Sequence, residues 1–429
     1  MHDGKKRCSR RSVLKAAAAA ALAPAIVPAR VFGASAPSRR VTLGFIGVGL
    51  HGTGWNLKGF LQFDDAQVLA VCDVMKSRCE NAQAMVHQAY GNRDCVAYSD
   101  WRDIIARKDI DAVMISTPDH WHVPMALAAI RAGKDVCCEK PTYTIEQGRV
   151  LSDTVKKYKA VFQTSTEDRS IPVYHRMAEL VRNGRIGRLQ SIHVTLPAGT
   201  VKPQPPQLAP IPDGFDYDMW LGPAPDAPYA SNRCGNQEWR NIFDYSGGKF
   251  TDWGMHQVDT AQCANDTEHT GPIEVLGEGV FPDQSSLYNT AMTYKVQYKY
   301  ANGVELYVES GGTSLRFEGT DGWIGNDAWR KPLKASSQEI LDSVIGPEET
   351  HLYTCAGGEH RNFLDCVRSR KLPYFPAEVG HRCATVLHIG NISMRLGRKL
   401  KWNPDKEEFI ADAQANAMRS EPMRKPWTL

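Results

Sequence analysis

Val41-Thr42-Leu43-Gly44-Phe45-Ile46, followed at once by Gly47-Val48-Gly49-Leu50-His51-Gly52, is the stretch on which the fold turns. A short apolar run that ends in Gly-x-Gly-x-x-Gly reads as a buried strand handing the chain to a helix. Gly47 permits the tight turn, and Gly49 lets the backbone approach a pyrophosphate. Gly52 lets the helix pack against the strand, with its N-terminus facing the phosphates. The next apolar run, 68–72, ends in Asp73, an acid placed to accept hydrogen bonds from ribose hydroxyls and to repel a 2′-phosphate. That favours NAD over NADP, although Lys76 and Arg78 stand close enough to leave NADP open.

Three more apolar runs follow, at 112–116, 135–138 and 160–163, with amphipathic segments between them. Continuous apolar strands separated by helices indicate a parallel sheet covered on both faces. The fold class expected is α/β: a Rossmann dinucleotide-binding domain over 37–165, then an α+β domain over 166–429 with an open, mostly antiparallel sheet. The second domain follows from period-two alternation at 191–194, 294–298, 304–308 and 314–317. The proline-rich stretch 197–228 has little periodicity and reads as an irregular excursion over the surface. Helical spacing within 351–399 predicts helices that complete the second domain, and Arg424-Lys425-Pro426-Trp427 reads as a docking strap.

A composition of 42% hydrophobic and 23% charged residues excludes a chain disordered along most of its length and a multi-span membrane protein. The formal charge of +3 is concentrated at one end: residues 1–36 carry seven basic residues and one acid. The remainder is slightly acidic, with no reason to seek nucleic acid or anionic lipid. Residues 1–36 read as an address. Ser9-Arg10-Arg11-Ser12-Val13-Leu14-Lys15 precedes an alanine-rich run and then Ala34-Ser35-Ala36, a charged region, a short apolar stretch and a small-x-small cleavage site. The paired arginines resemble a twin-arginine signal, which predicts a periplasmic protein exported already folded. The apolar run is shorter than the roughly 20 residues that span a bilayer, and no cysteine follows it to carry a lipid, so no membrane anchor is expected. Beyond Cys8 the ten cysteines show neither C-x-x-C pairs nor zinc-ligand spacing. No metal site and no disulfide bridge are expected.

Lys140 lies in Glu139-Lys140-Pro141, where the fourth strand ends. Ligands of open α/β sheets bind beyond the carboxyl ends of strands, so this lysine suits a group that polarises a substrate hydroxyl. It equally suits a surface lysine before a turn proline. Asp252 and His256, four residues apart in Gly247-Gly248-Lys249-Phe250-Thr251-Asp252-Trp253-Gly254-Met255-His256, share one helix face. They read either as a cap and a core histidine or as a general base oriented by a carboxylate.

The set of Gly47-x-Gly49-x-x-Gly52, Thr117-Pro118-Asp119-His120-Trp121-His122 and Glu139-Lys140-Pro141 resembles the Gfo/Idh/MocA oxidoreductases, and Arg182-Asn183-Gly184-Arg185-Ile186-Gly187 resembles that family's entry into its second domain. The likeness runs from about residue 41 to the C-terminus. It implies that Lys140 is catalytic, with a bond to Pro141 that is often cis, and that His256 faces it across the nicotinamide and takes the hydroxyl proton, with Asp252 orienting or relaying. The cofactor-binding set expected is Gly47, Gly49, Leu50, His51, Gly52, Asp73, Thr117, Pro118, His120, Glu139 and Lys140. His120, Arg169, Trp239, Arg240, Tyr245 and Asp259 are the substrate-contacting candidates. The substrate implied is a small sugar or glycoside, and the assembly a homo-oligomer, dimer or tetramer.

Dissolved NAD(H) is not regenerated outside the cytoplasm by an ordinary pool. Export therefore implies tightly bound cofactor, and three readings stay open. The first is a sugar or glycoside oxidoreductase that passes hydride between substrates. The second is a glycoside hydrolase that oxidises, eliminates, hydrates and reduces in turn. The third is a non-catalytic sugar-binding protein on the same scaffold.

Overall fold

A computed structural model describes residues 40–199 and 201–429. The expected export signal, residues 1–36, lies outside the described residues. The first sheet is built from β1 (Val41–Ile46), β2 (Ala66–Cys72), β3 (Val96–Tyr98), β4 (Ala112–Ile115), β5 (Asp135–Glu139) and β6 (Phe162–Ser165). Its order is β3-β2-β1-β4-β5-β6 and every pairing is parallel. All four residues of β4 are buried, because helices cover both faces. This order reverses between β1 and β4, so the carboxyl ends of β1, β2, β4 and β5 open onto one crevice.

Two strands differ from the sequence expectation. β3 is a three-residue edge strand with Val96 exposed, too short and too wet to leave an apolar run. β6 starts two residues later than the run at 160–163 and ends on Thr164 and Ser165, polar residues buried by the chain that crosses them. Thr164 N–H donates to the Phe375 carbonyl at 2.9 Å, and Ser165 Oγ to Glu359 Oε2 at 3.1 Å.

The second sheet comprises β7 (Leu189–Leu196), β8 (Glu274–Val280), β9 (Thr293–Lys299), β10 (Glu305–Ser310), β11 (Leu315–Gly319), β12 (Trp323–Asn326), β13 (Lys334–Ala335), β14 (Leu400–Asn403) and β15 (Glu408–Phe409). Its order is β13-β12-β11-β7-β10-β9-β8-β14-β15. β7 and β10 run parallel, and the other pairings are antiparallel. β9 shows why: Tyr294, Val296 and Tyr298 are buried while Thr293, Lys295 and Lys299 are exposed. The buried face shares a core with the helices Pro172–Arg182, Lys249–Ala264 and Ala377–Leu396.

The described part of the excursion over 197–228 is irregular apart from the short helix Tyr217–Leu221, and it is held by an aromatic cluster shared with the residues that follow it. Phe215, Tyr217, Trp220, Trp239, Tyr245 and Tyr288 pack together. Lys76 N–H donates to the Gly214 carbonyl at 2.9 Å, so the arm docks at the end of β2. The strap also docks: the Trp427 ring lies 4.7 Å from Trp121, and Arg424 Nε donates to the Gly222 carbonyl at 2.9 Å. The helix Gly358–Ser369, in the segment expected to pack back and complete the second domain, also packs on the first. Its Phe363, Leu364 and Cys366 pack with Leu43, Phe45 and Phe60 under the first sheet. The ten cysteines from Cys72 to Cys383 are free. Among the described residues no helix is long and apolar enough to cross a membrane.

Arg149, on the helix Ile145–Tyr158 of the first domain, holds two carboxylates of the second. It donates to Glu407 Oε1 at 2.8 Å and to Glu378 Oε2 at 2.7 Å, and His381 Nε2 lies 2.7 Å from Glu407 Oε1. Burial works against the Glu407 charge, but the hydrogen bonds from His381 and Arg149 outweigh it and hold the carboxyl at about 2. A carboxyl lowered on folding stabilises above its unfolded value and loses that contribution as pH falls through its folded one. Thermal denaturation should therefore show stability declining between about pH 4.5 and about pH 2. Glu407→Gln should cost about 2 kcal/mol at neutral pH and flatten this acid limb; an unchanged limb would mean that Glu407 is not its source.

Candidate active site

The glycine turn after β1 is tight because it has to be. Gly47 adopts φ +83°, and a Cβ there would lie 2.7 Å from the Ser116 carbonyl carbon at the end of β4. A Cβ on Gly52 would lie 2.3 Å from the Gly47 carbonyl oxygen. The helix that begins there is a wide π-helical turn, Gly52–Leu57, running into Lys58–Phe60. Asp73 sits at the end of β2 with Oδ2 accepting from Val48 N–H at 2.9 Å and Oδ1 from Met75 N–H at 2.9 Å. It therefore fixes the turn as well as facing the crevice. Burial raises its pKa.

These elements wall a cleft of about 1010 Å³ including its open mouth. Of the expected residues, Gly47, Gly49, Leu50, His51, Gly52, Asp73, Thr117, Pro118, Glu139, Lys140, Trp239 and Arg240 all line it. Its floor is the glycine turn, where backbone stands in place of side chains. A dinucleotide fits such a cleft, with Gly47 to Gly52 at its phosphates and Asp73 at a ribose. Arg78 is on the same wall and donates to Asn236 Oδ1 at 2.9 Å, which keeps a cation beside Asp73.

Lys140 emerges from β5 through a cis bond to Pro141, as the resemblance implied. Its Nζ donates to Asp252 Oδ1 at 2.8 Å and to the Asp252 carbonyl at 3.0 Å. Burial opposes the Lys140 charge, but Asp252 and Glu139 outweigh it and raise the pKa, so the ammonium persists. Asp252 is drawn the other way: burial would raise it, yet Lys140, Arg240 and Lys249 hold it well below the usual carboxylate range. Arg240 Nε lies 3.5 Å and Lys249 Nζ 3.6 Å from its oxygens. At the mouth, His51 Nε2 lies 2.9 Å from Glu139 Oε1, which also accepts from Asn56 Nδ2 at 2.9 Å.

His256 corrects one expectation. It shares a helix face with Asp252, but Asp252 does not orient it. Its Nδ1 faces Asp168 Oδ1 at 3.5 Å and Glu167 Oε2 at 3.8 Å, beyond the end of β6. Burial and the Lys140 charge oppose protonation of His256, and Asp168 and Glu167 outweigh them. One donor atom from each of Glu167, Asp168 and His256 lies within 4.8 Å of the others, the arrangement of a cation site.

Four further candidates are placed away from the cleft. His120 turns its Nε2 to the Trp220 carbonyl at 3.1 Å among Trp121, Trp220 and Tyr245, and burial depresses it to about 4. Tyr245 is buried in the same cluster, its hydroxyl accepting from Arg233 at 3.0 Å. Arg169 and Asp259 form a buried two-pronged ion pair, at 2.6 and 2.7 Å, with Glu268 joining Arg169 at 2.9 Å. The sequence suggested these four because they carry polar chemistry near the motifs; packing spent that chemistry inside the protein.

Sequence reading missed Asp119. It lines the cleft, is buried, and leaves Oδ2 without a partner; burial pushes it up to about 7. It also missed Glu167 and Asp168, although the rule that pointed to Lys140, the carboxyl end of a parallel strand, points equally to them.

The Gfo/Idh/MocA oxidoreductase family's NAD-binding Rossmann-fold domain matches residues 41–166, and its C-terminal alpha/beta domain matches 201–429. The chain belongs to this family, and its first domain is an NAD-binding Rossmann domain. It is 35% identical over 188 residues to a glycosyl hydrolase family 109 protein of Stenotrophomonas maltophilia, covering 41% of this chain and 39% of that protein. It is 32% identical over 161 residues to levoglucosan dehydrogenase of Pseudarthrobacter phenanthrenivorans, covering 37% and 41%. The chain thus spans about two-fifths of the length of these curated relatives. In fold it is similar to the WlbA dehydrogenase of Bordetella pertussis, solved with NADH and UDP-GlcNAcA (TM-score 0.63, 17% identity, 85% of this chain and 99% of that one). The aldose-aldose oxidoreductase of Caulobacter crescentus gives TM-score 0.63 and 17% identity over 85% and 100%.

Gly52→Ala places a methyl group against a carbonyl that cannot move. Dinucleotide affinity by titration should fall at least tenfold, with a stability loss of about 2 kcal/mol. Wild-type affinity in this variant would show that the cleft does not hold the dinucleotide at the glycine turn.

Proposed function

We propose that this chain is an exported NAD-dependent oxidoreductase that acts on a hydroxyl of a sugar or glycoside and keeps its cofactor bound through turnover. The observation that carries the reading is Lys140: a buried ammonium, fixed from the second domain by Asp252 and opening on the same cleft as the glycine turn. When bound, the dinucleotide supplies a hydride acceptor beside that ammonium. Lys140 then donates a hydrogen bond to the substrate oxygen and stabilises the negative charge that grows there as its proton leaves. Asp252 and Glu139 keep the lysine charged, while Arg240 and Lys249 hold Asp252 anionic beside it. His256, one helical turn away, takes the proton. Trp239, with the Arg240 guanidinium 4.3 Å from its ring centroid, offers an aromatic face of the kind that packs on a sugar ring.

Levoglucosan dehydrogenase and inositol 2-dehydrogenase among the relatives support a cyclic polyol substrate. The paired arginines and small-x-small site at the N-terminus support export to the periplasm, and export supports a retained cofactor. The wet face of the second sheet supports pairing into a dimer or tetramer. A redox-neutral glycoside hydrolase is the second reading, favoured by the 35% identity to a glycosyl hydrolase family 109 protein. Both readings need Lys140 at a ring hydroxyl, and they separate on what leaves the site.

Purified protein mixed with sugars and with nitrophenyl glycosides, without added cofactor, should show near-ultraviolet absorbance of reduced nicotinamide. Release of nitrophenol without net reduction selects the hydrolase. Lys140→Ala should lower turnover by at least about 100-fold with dinucleotide still bound. Unchanged turnover would remove Lys140 from the chemistry.

A further inference from the structure

The Glu167–Asp168–His256 group has more acceptors than a histidine can serve. A neutral imidazole has one N–H to give, and Nδ1 faces two carboxylates, at 3.5 and 3.8 Å. Asp168 is fully buried, and its Oδ2 has no hydrogen-bond partner. A buried carboxylate oxygen left unpaired is costly. Something other than the imidazole proton is needed to satisfy this corner.

The other contacts of the two carboxylates orient them. Trp329 Nε1 donates to Asp168 Oδ1 at 3.0 Å, and Arg330 donates to Glu167 Oε1 at 2.8 Å. Glu167 Oε2 and Asp168 Oδ2 are left over, and the lone pair that Nδ1 carries in the other tautomer meets the Thr166 hydroxyl at 3.4 Å, a long hydrogen bond that a cation would replace. Outer-shell donors that aim carboxylates while leaving one oxygen of each unclaimed are the usual second layer of a metal centre. Ligands about 2.1 Å from a tetrahedral ion stand about 3.4 Å apart; Nδ1 stands 3.5 Å from Asp168 Oδ1 and 3.8 Å from Glu167 Oε2, and one donor atom from each of the three residues lies within 4.8 Å of the others, so the group has to contract around an ion. One imidazole with two carboxylates suits a borderline first-row ion better than calcium or magnesium, which prefer all-oxygen shells.

We propose that Glu167, Asp168 and Nδ1 of His256 bind a first-row divalent cation, zinc or manganese. Binding at Nδ1 leaves the ring hydrogen on Nε2, so His256 cannot take a substrate proton while the cation is held. The cation is therefore an inhibitor of the oxidoreductase; this consequence, unlike the site, rests on the function proposed above.

The test is calorimetric titration of the full-length chain, stripped with a chelator, with zinc chloride and manganese chloride, and needs no substrate. Saturable uptake of one cation per chain is expected, with a change in tryptophan fluorescence because Trp253 and Trp329 lie 5.8 and 6.0 Å from the His256 ring. Asp168→Asn and Glu167→Gln should each weaken that uptake at least about tenfold. His269→Gln, on an exposed histidine, should leave it unchanged. Glu167 is partly exposed, so its variant carries the test if the buried Asp168→Asn does not fold. No saturable binding, or binding that survives Glu167→Gln at full strength, or loss of binding in His269→Gln, overturns the proposal. A protein that binds zinc but oxidises no sugar leaves the site standing and removes only the inhibitory consequence.

Discussion

The buried pairing of Lys140 with Asp252 joins the two domains beside the cleft that the glycine turn lines. Lys140 leaves the end of a strand in the first sheet, and Asp252 sits in the first turn of a helix that packs under the second. Taking two charges out of water costs several kcal/mol each, and the attraction between them repays that only with good geometry and further partners. Here the partners exist. The ammonium also meets the Asp252 carbonyl, and Asp252 has Arg240 and Lys249 within 4 Å. Three cations converge on a single carboxylate, so the corner is short of negative charge. An electron-rich oxygen entering the cleft relieves that shortage.

The same helix carries the opposite pole one turn along. His256 faces Glu167 and Asp168, where negative charge is in excess. One helix, Lys249–Ala264, thus holds an anion-seeking and a cation-seeking corner about a turn apart. Its first turn is anchored to β5 by Lys140, and its second turn lies against the end of β6. Any shift of the second domain against the first would move both corners together, which is why the interdomain contacts matter. Arg149 with Glu378 and Glu407, and the helix Gly358–Ser369 packed under β1, fasten the domains away from the cleft.

Much of this was legible in the chain. The four apolar runs that became β1, β2, β4 and β5 are buried on both faces, so hydrophobicity alone marks them. β3 was not legible because an exposed three-residue strand buries too little to leave a pattern. β6 was misplaced because Thr164 and Ser165 owe their burial to Phe375 and Glu359, some two hundred residues on. The glycine turn was legible to the residue, since only glycine fits where Gly47 and Gly52 stand. In Thr117-Pro118-Asp119-His120 the choice of His120 over Asp119 failed for a different reason. Neighbouring residues at a helix start point about 100° apart, and which of them meets the cleft depends on how the helix is rotated against Trp220.

The sequence by itself determined a parallel sheet, its glycine turn, the acid at the end of β2 and the lysine at the end of β5, because each is a local demand of backbone geometry or strand burial. The tertiary structure alone decided who partners whom. Asp252 belongs to Lys140 rather than to His256, Asp168 to His256, and Arg169 to Asp259 in the interior. Charges pair through space over distances of 3 to 4 Å, and chain position says nothing about which two side chains will arrive there.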